Sequence, residues 1–269
     1  NKETTTKEAL FWTLFYVAAA IACGLLMPRW TSDQLRTEFF AGWLTEYALS
    51  VDNIFVFIIL LASLKVKKES QQLVLLLGIL LTIAIRGLLI PIGATLVSRF
   101  SSVFYIFGAF LIYTAWKLIK EDGEEEFEEG KVISALKKRG LSTFSIALIA
   151  LGITNLVFSL DSIPAIFGLT HSAYIVTTAN VFALMGLRQL YFLREGLLTR
   201  LIYLSKGLSF ILAFIGVKMI LEALHGNSVE VPEVSLEISL GVIITTLIIT
   251  AITSLAATRN SSEREKHVS

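Results

Sequence analysis

TEYALSVDNIFVF (Thr45–Phe57) and TNLVFSLDSIPAIF (Thr154–Phe167) are two versions of one polar motif, each set inside a long apolar segment. Aligned without a gap, Glu46 lies over Asn155, Ser50 over Ser159, Asp52 over Asp161 and Asn53 over Ser162, always at an offset of 109 residues. A charged side chain at the centre of a membrane helix costs about 2.5–3.5 kcal/mol on insertion scales. A chain that carries this cost twice, in the same pattern, is expected to use both acids together.

The surroundings make hydrocarbon the solvent. Hydrophobic residues make up 55% of the chain and charged ones only 17%, and the mean hydropathy of +0.73 lies outside the soluble range. Apolar segments run near 9–27, 40–64, 73–97, 103–119, 144–169, 174–193, 201–222 and 236–257. About 20 apolar residues cross the hydrocarbon core, so the expected fold is all-α, a polytopic transmembrane bundle of about eight helices. The first run is too long for a signal-peptide core and has no convincing cleavage site before Pro28, so it reads as a mature helix. With both termini on one side, sixteen of the 23 Lys and Arg fall on that side and only Arg29, Arg36 and Arg99 on the other. The positive-inside rule then places both termini in the cytoplasm, in an inner-membrane protein. The basic loops report topology and give no reason to expect nucleic acid. Cys23 is the sole cysteine, which leaves no CxxC pair and no thiolate metal site.

The motif-bearing segments are the second and fifth, three spans apart, and an odd number of crossings reverses direction. Weaker echoes extend the match: Arg86 answers Arg188, and AWKLI (Ala115–Ile119) answers GVKMI (Gly216–Ile220). The expected organisation is an N-terminal segment with a peripheral helix (1–37), a three-helix repeat (38–119), an acidic cytoplasmic loop (120–143), an inverted repeat (144–224), and a last helix with a tail (225–269). Inverted repeats are a common transporter plan, with the site near the midplane between them. The loop holds EDGEEEFEEG (Glu121–Gly130), which reads as a solvated linker, and the charged tail after Arg259 reads as a disordered terminus.

Glu46, Ser50 and Asn53 share one helix face, as do Asn155, Ser159 and Ser162. Asp52 and Asp161 lie about a third of a turn away on an ideal helix, so their convergence calls for local unwinding. Pro164 permits it, because it cannot donate to the Leu160 carbonyl beside Asp161. Carboxylate, amide, hydroxyl and carbonyl oxygens suit hard cations: Mg²⁺, Ca²⁺ or Mn²⁺. Zinc, nickel and copper favour imidazole or thiolate, and the intramembrane core offers neither. The competing reading is structural, with the acids neutralising Arg86, Arg188, Lys206 and Lys218 in ion pairs. No Walker-type phosphate loop is present, and no nucleophile–His pair lies inside the membrane, so an enzyme is not expected.

At EYALSVDN and NLVFSLDS the chain resembles the TerC family of integral membrane proteins, named for tellurium resistance. The resemblance runs from about Phe39 to Leu224 and includes Arg86 in AIRGLL and Arg188 in MGLRQLYFL. It implies membership of the lysine-exporter-like group of inverted-repeat transporters, some of which are implicated in manganese export. It further implies an ion site of Glu46, Asp52 and Asn53 with Asn155, Asp161 and Ser162. Ser50, Ser159, Arg86, Arg188, Lys206 and Lys218 are expected in support.

The expected activity is therefore export of Mn²⁺, with Ca²⁺ the next candidate, driven by a gradient such as proton antiport. An exporter of small organic cations or amino acids and a non-transporting membrane scaffold are the alternatives. The topology is directly testable. In a Cys23→Ser background, Lys266→Cys is expected to resist a membrane-impermeant maleimide in intact cells, and Arg99→Cys to react at once; the reverse pattern would invert the protein.

Overall fold

The computed structural model describes residues 6–100, 102–120, 133, 136, 138–185 and 201–268. Among them are eight α-helices, a one-turn 3₁₀ helix and no strand. The α-helices are α1 (Thr6–Leu26), α2 (Asp33–Ser63), α3 (Lys68–Arg99), α4 (Val103–Lys120), α5 (Thr143–Phe167), α6 (Ala173–Met185), α7 (Leu204–Gly226) and α8 (Leu236–Val268). The chain is thus a polytopic helical bundle.

The helix ends follow local chemistry. Pro28 falls in the 3₁₀ turn Met27–Arg29 that closes α1. Ser32 caps α2 by accepting from the Leu35 N–H at 3.2 Å, and Asp33 in the first turn complements the helix dipole. Ser142 caps α5 in the same way through Ser145 N–H, at 3.2 Å. Six helices (α1, α3, α4, α5, α7 and α8) contain stretches long and apolar enough to cross a membrane. With 31 residues, α2 is about 46 Å long, also sufficient to span. Phe11 and Leu14 on α1, Leu80 and Leu88 on α3, and Ile248 and Ile252 on α8 are exposed, as a surface solvated by lipid requires.

Two expectations change. The 25 residues of α5 form a continuous helix through Asp161 and Pro164, so the local unwinding does not occur. Membrane helices tolerate an internal Pro without breaking. The charged tail continues α8 as helix to Val268, since no Gly or Pro interrupts it. Lys206 sits in the first turn of α7, exposed and 5.9 Å from the centre of the Tyr203 ring. The acidic tract 121–130, the second half of the 174–193 span and Arg188 lie outside the described residues.

The most extensive helix pairings are α4 with α7, α3 with α5, and α2 with α6. In the first pair, backbones touch through two glycines. A Cβ on Gly108 would stand 2.6 Å from the Gly216 carbonyl oxygen, and one on Gly216 would stand 2.7 Å from that of Gly108. Small residues of this kind let membrane helices approach until dispersion contacts hold them. The α3 and α5 helices run side by side in the same direction. The Asn155 amide donates to the Gly78 carbonyl at 3.3 Å, and farther along Phe167 packs where a Gly93 side chain would stand.

At the other end of α5, the turn Gly168–Ser172 is tied to three helices. The Thr170 hydroxyl donates to the Glu38 carboxylate on α2, whose second oxygen accepts from Gln34 at 3.0 Å. The Lys218 ammonium on α7 donates to the Gly168 carbonyl at 2.8 Å. His171 reaches Glu222 on α7 at 3.2 Å, with its ring 5.3 Å from that of Phe104 on α4. These groups line a cavity of about 390 Å³.

Two outcomes follow from this packing. Gly108→Leu must push a side chain into backbone, and overpacking of this kind costs about 1–3 kcal/mol; a clear fall in the melting temperature of the detergent-purified protein is expected, and an unchanged one would remove the glycine contact from the fold. For His171, the Glu222 carboxylate raises the pKa above its ordinary 6.5, with Glu38 adding to the effect and burial and Lys218 opposing it. A raised folded-state pKa means the pair stabilises fully below the unfolded value and is lost as pH climbs through the folded one. Melting temperature should therefore drop above pH 6.5 in the wild type and show a smaller drop in His171→Gln; parallel pH profiles would disprove the pairing.

Candidate functional site in the bundle centre

The site begins where α2, α5 and α6 meet. A methyl group on Gly42 of α2 would stand 3.2 Å from Ile166 Cγ1 on α5 and 3.5 Å from Ala179 Cβ on α6. One turn farther from the His171 end, on the same faces, come Glu46 on α2 and Ser162 on α5. Asn180 follows Ala179 directly. The Ser172 N–H donates to Thr170 Oγ1 at 3.1 Å, and the chain turns directly from α5 into α6. Glu46 and Ser162 form a buried polar layer one turn beyond Gly42, and Asn180 is buried on α6 next to Ala179 at the Gly42 crossing.

Arg86 of α3 closes the layer by donating from Nη1 to Glu46 Oε2. Both residues are nearly sealed, at 2% exposure for Arg86 and 1% for Glu46. The pairing is incomplete. Glu46 Oε1, Arg86 Nε, Ser162 Oγ and Asn180 Nδ2 are buried without a hydrogen-bond partner, as is Ser50 Oγ one turn beyond Glu46. Buried polar groups are satisfied in the great majority of proteins, and a group left open calls for water, an ion or a functional role. Here five such atoms come from all four central helices. Glu46 Oε1 and the two hydroxyl oxygens are hard-ligand atoms, and the Asn180 amide brings a carbonyl oxygen in addition to its NH₂.

The remaining motif residues divide. Ser159 is satisfied locally, donating to the Asn155 carbonyl at 2.8 Å, and Asn155 is fixed by Gly78. Asn53 is half-buried on α2. Asp161 points elsewhere: it accepts from Thr114 of α4 at 3.0 Å, with the Lys117 charge acting on it. The continuous helix explains why, since adjacent residues on a helix diverge by about 100° and Ser162 takes the inward direction. The Asp52 side chain lies outside the described residues. Among the described residues no three His, Cys, Asp or Glu side chains are grouped so as to hold a metal ion. Lys218 serves the His171 end and not the central layer. Of the expected residues, the structure pairs Glu46 with Arg86 and leaves Ser50 and Ser162 buried with open hydroxyls. It adds Asn180, which is a lone amide in the apolar run AYIVTTANVFALM (Ala173–Met185), a signal of the same kind as the motif but without a repeat to mark it.

Sequence comparison agrees with a membrane assignment. An uncharacterized membrane protein of Mycobacterium tuberculosis (strain H37Rv) is 40% identical over an alignment of 293 residues, covering 96% of this chain and 74% of the relative. An uncharacterized membrane protein of Myxococcus xanthus is 34% identical, covering 97% of this chain and 87% of that one. The putative membrane-bound redox modulator Alx of Escherichia coli K12 is 32% identical, covering 92% and 85%. No solved structure matches the chain. The description of the integral membrane protein TerC family fits residues 31–262. With that span of the sequence matched, the chain belongs to the TerC family of integral membrane proteins.

Proposed function

We propose that this protein is a secondary transporter that exports divalent metal cations across the cytoplasmic membrane, with Mn²⁺ the first candidate and Ca²⁺ the second. The observation that carries the reading is the central layer of buried, unpartnered oxygens on α2 and α5, accompanied by the open amide of Asn180. Glu46, Ser50 and Ser162 supply hard oxygens, and Asp52, six residues beyond Glu46 on α2, is the further acid of the first motif. Six-fold or higher oxygen coordination, completed by water, suits Mn²⁺ and Ca²⁺. Asp161, held by Thr114 on the far side of α5, acts as a waypoint along the same path and not as a partner in the same shell.

The helix pairings support an inverted-repeat plan. Exchanging α2, α3 and α4 with α5, α6 and α7 carries the α2–α6 pair onto α5–α3 and returns α4–α7 to itself, and these are the three dominant pairs. Both termini face the cytoplasm in this reading, and the counter-ion is the proton, because a carboxylate in a low-dielectric site takes up a proton readily when its cation leaves. The lipid bilayer is the surrounding partner, and nothing calls for nucleic acid or for enzymatic chemistry.

Binding decides between transporter and scaffold. Mn²⁺, Ca²⁺, Mg²⁺ and Zn²⁺ titrated into purified protein should show saturable Mn²⁺ binding that weakens at least tenfold in Asp52→Asn, with a smaller loss in Asp161→Asn. Variants that melt earlier but bind Mn²⁺ as before would assign the acids to helix packing, and displacement of Mn²⁺ by amino acids would favour the organic-substrate alternative.

A further inference from the structure

The Glu46–Arg86 pair is built unlike a structural salt bridge. A guanidinium that serves only to neutralise a buried carboxylate usually engages it as a fork, with two parallel N–H donors on two oxygens. Here Arg86 uses one nitrogen on one oxygen, and leaves Nε and Glu46 Oε1 unpartnered in a nearly sealed interior. Ser162 Oγ on α5 and Asn180 Nδ2 on α6 are likewise buried and unpartnered. The carboxylate is therefore half-occupied by Arg86, and its second oxygen is open.

The backbone beside Arg86 has room to move. Gly87 follows it with nothing within 4 Å of where a side chain would stand. Pro91 lies inside α3 four residues after Gly87, so the Gly87 carbonyl has no helical N–H to accept. Helices bend at such points. An arginine directly before the break can withdraw from Glu46 through a small change in α3.

Resting on the transporter reading, we propose that Arg86 is a tethered counter-cation for the transport site. It occupies Glu46 when no cargo is bound, and an incoming divalent cation displaces it. Guanidinium and M²⁺ cannot share one buried carboxylate, because like charges at contact distance in a low dielectric repel strongly. The empty carrier thus exposes no bare charge to hydrocarbon at Glu46, and Arg86 sets the cation affinity low enough for release. Arg86 is a positioning residue in this scheme: it tunes the ligand carboxylate and never touches the cargo.

The test compares wild type, Arg86→Gln and Arg86→Lys as purified full chains, titrated calorimetrically with MnCl₂ and CaCl₂ and melted with and without the cation. Arg86→Gln is expected to melt earlier when cation-free, to bind Mn²⁺ at least tenfold more tightly, and to gain more melting temperature from saturating Mn²⁺ than wild type does. Arg86→Lys should lie near wild type. Folded variants with unchanged or weaker affinity would overturn the proposal and make the pair structural. A wild type that binds no divalent cation would instead overturn the transporter reading, and this inference with it. Should Arg86→Gln fail to fold, the wild type decides through the ¹⁵Nε resonance of Arg86, assigned by its loss in Arg86→Lys. Saturating Ca²⁺ should shift that resonance, and an unmoved signal would rule the displacement out.

Discussion

The buried contact between Arg86 and Glu46 is the constraint around which the bundle is arranged. Two full charges in a membrane interior are tolerable only together, and each fixes the helix that carries it. Glu46 faces inward, so α2 presents Gly42 and Ser50 along the same stripe, and α3 is held at the depth where Arg86 meets the carboxylate. The α5 and α6 helices close over this pair through Ile166 and Ala179 at Gly42. Removing one partner would leave a lone buried charge, a change that in proteins commonly costs about 3–5 kcal/mol.

Lipid supplies no hydrophobic drive between helices, so close approach does the rest. The crossing at Gly108 and Gly216 brings α4 and α7 together at backbone distance, while Asn155 on Gly78 fixes the register of α5 against α3. At the His171 end, polar side chains fasten the α5–α6 turn to α2 and α7 through Glu38, Lys218 and Glu222. That turn joins the helix bearing Ser162 to the helix bearing Asn180, so whatever loosens it also moves two walls of the central layer. The mixed polar chemistry of this end and the sparse, incompletely bonded chemistry of the centre are suited to different tasks, one to fastening and the other to receiving a ligand.

Membership of the TerC family and the pairing of helices point the same way as the duplicated motif, although the motif residues divide their roles once folded. Asn155 and Ser159 spend their polar atoms on backbone carbonyls, and Asp161 on Thr114. Glu46, Ser50 and Ser162 keep theirs open. A stripe of polar residues on one helix face thus contains both bonded and open groups, and neighbouring carbonyls and hydroxyls decide which is which.

By itself, the sequence determined the solvent, the helices and the polar face. Hydropathy over spans of about 20 residues leaves only helices viable, because each backbone group must be satisfied within its own segment. The repeat at an offset of 109 marked Glu46, Ser50 and Ser162, and their i, i+4, i+7 spacing placed the first motif on one stripe. Only the tertiary structure decided what those residues meet. That Arg86 lies on Glu46 depends on how two helices cross, forty positions apart in the chain. That Asp161 turns to Thr114 depends on α5 staying continuous through Pro164, which the sequence permitted to break. Asn180 had no repeat to announce it, and its burial follows from the packing of α6 on α2 at the contact of Ala179 with Gly42. Periodicity is a local property and is written along the chain, whereas partners are chosen by packing between helices.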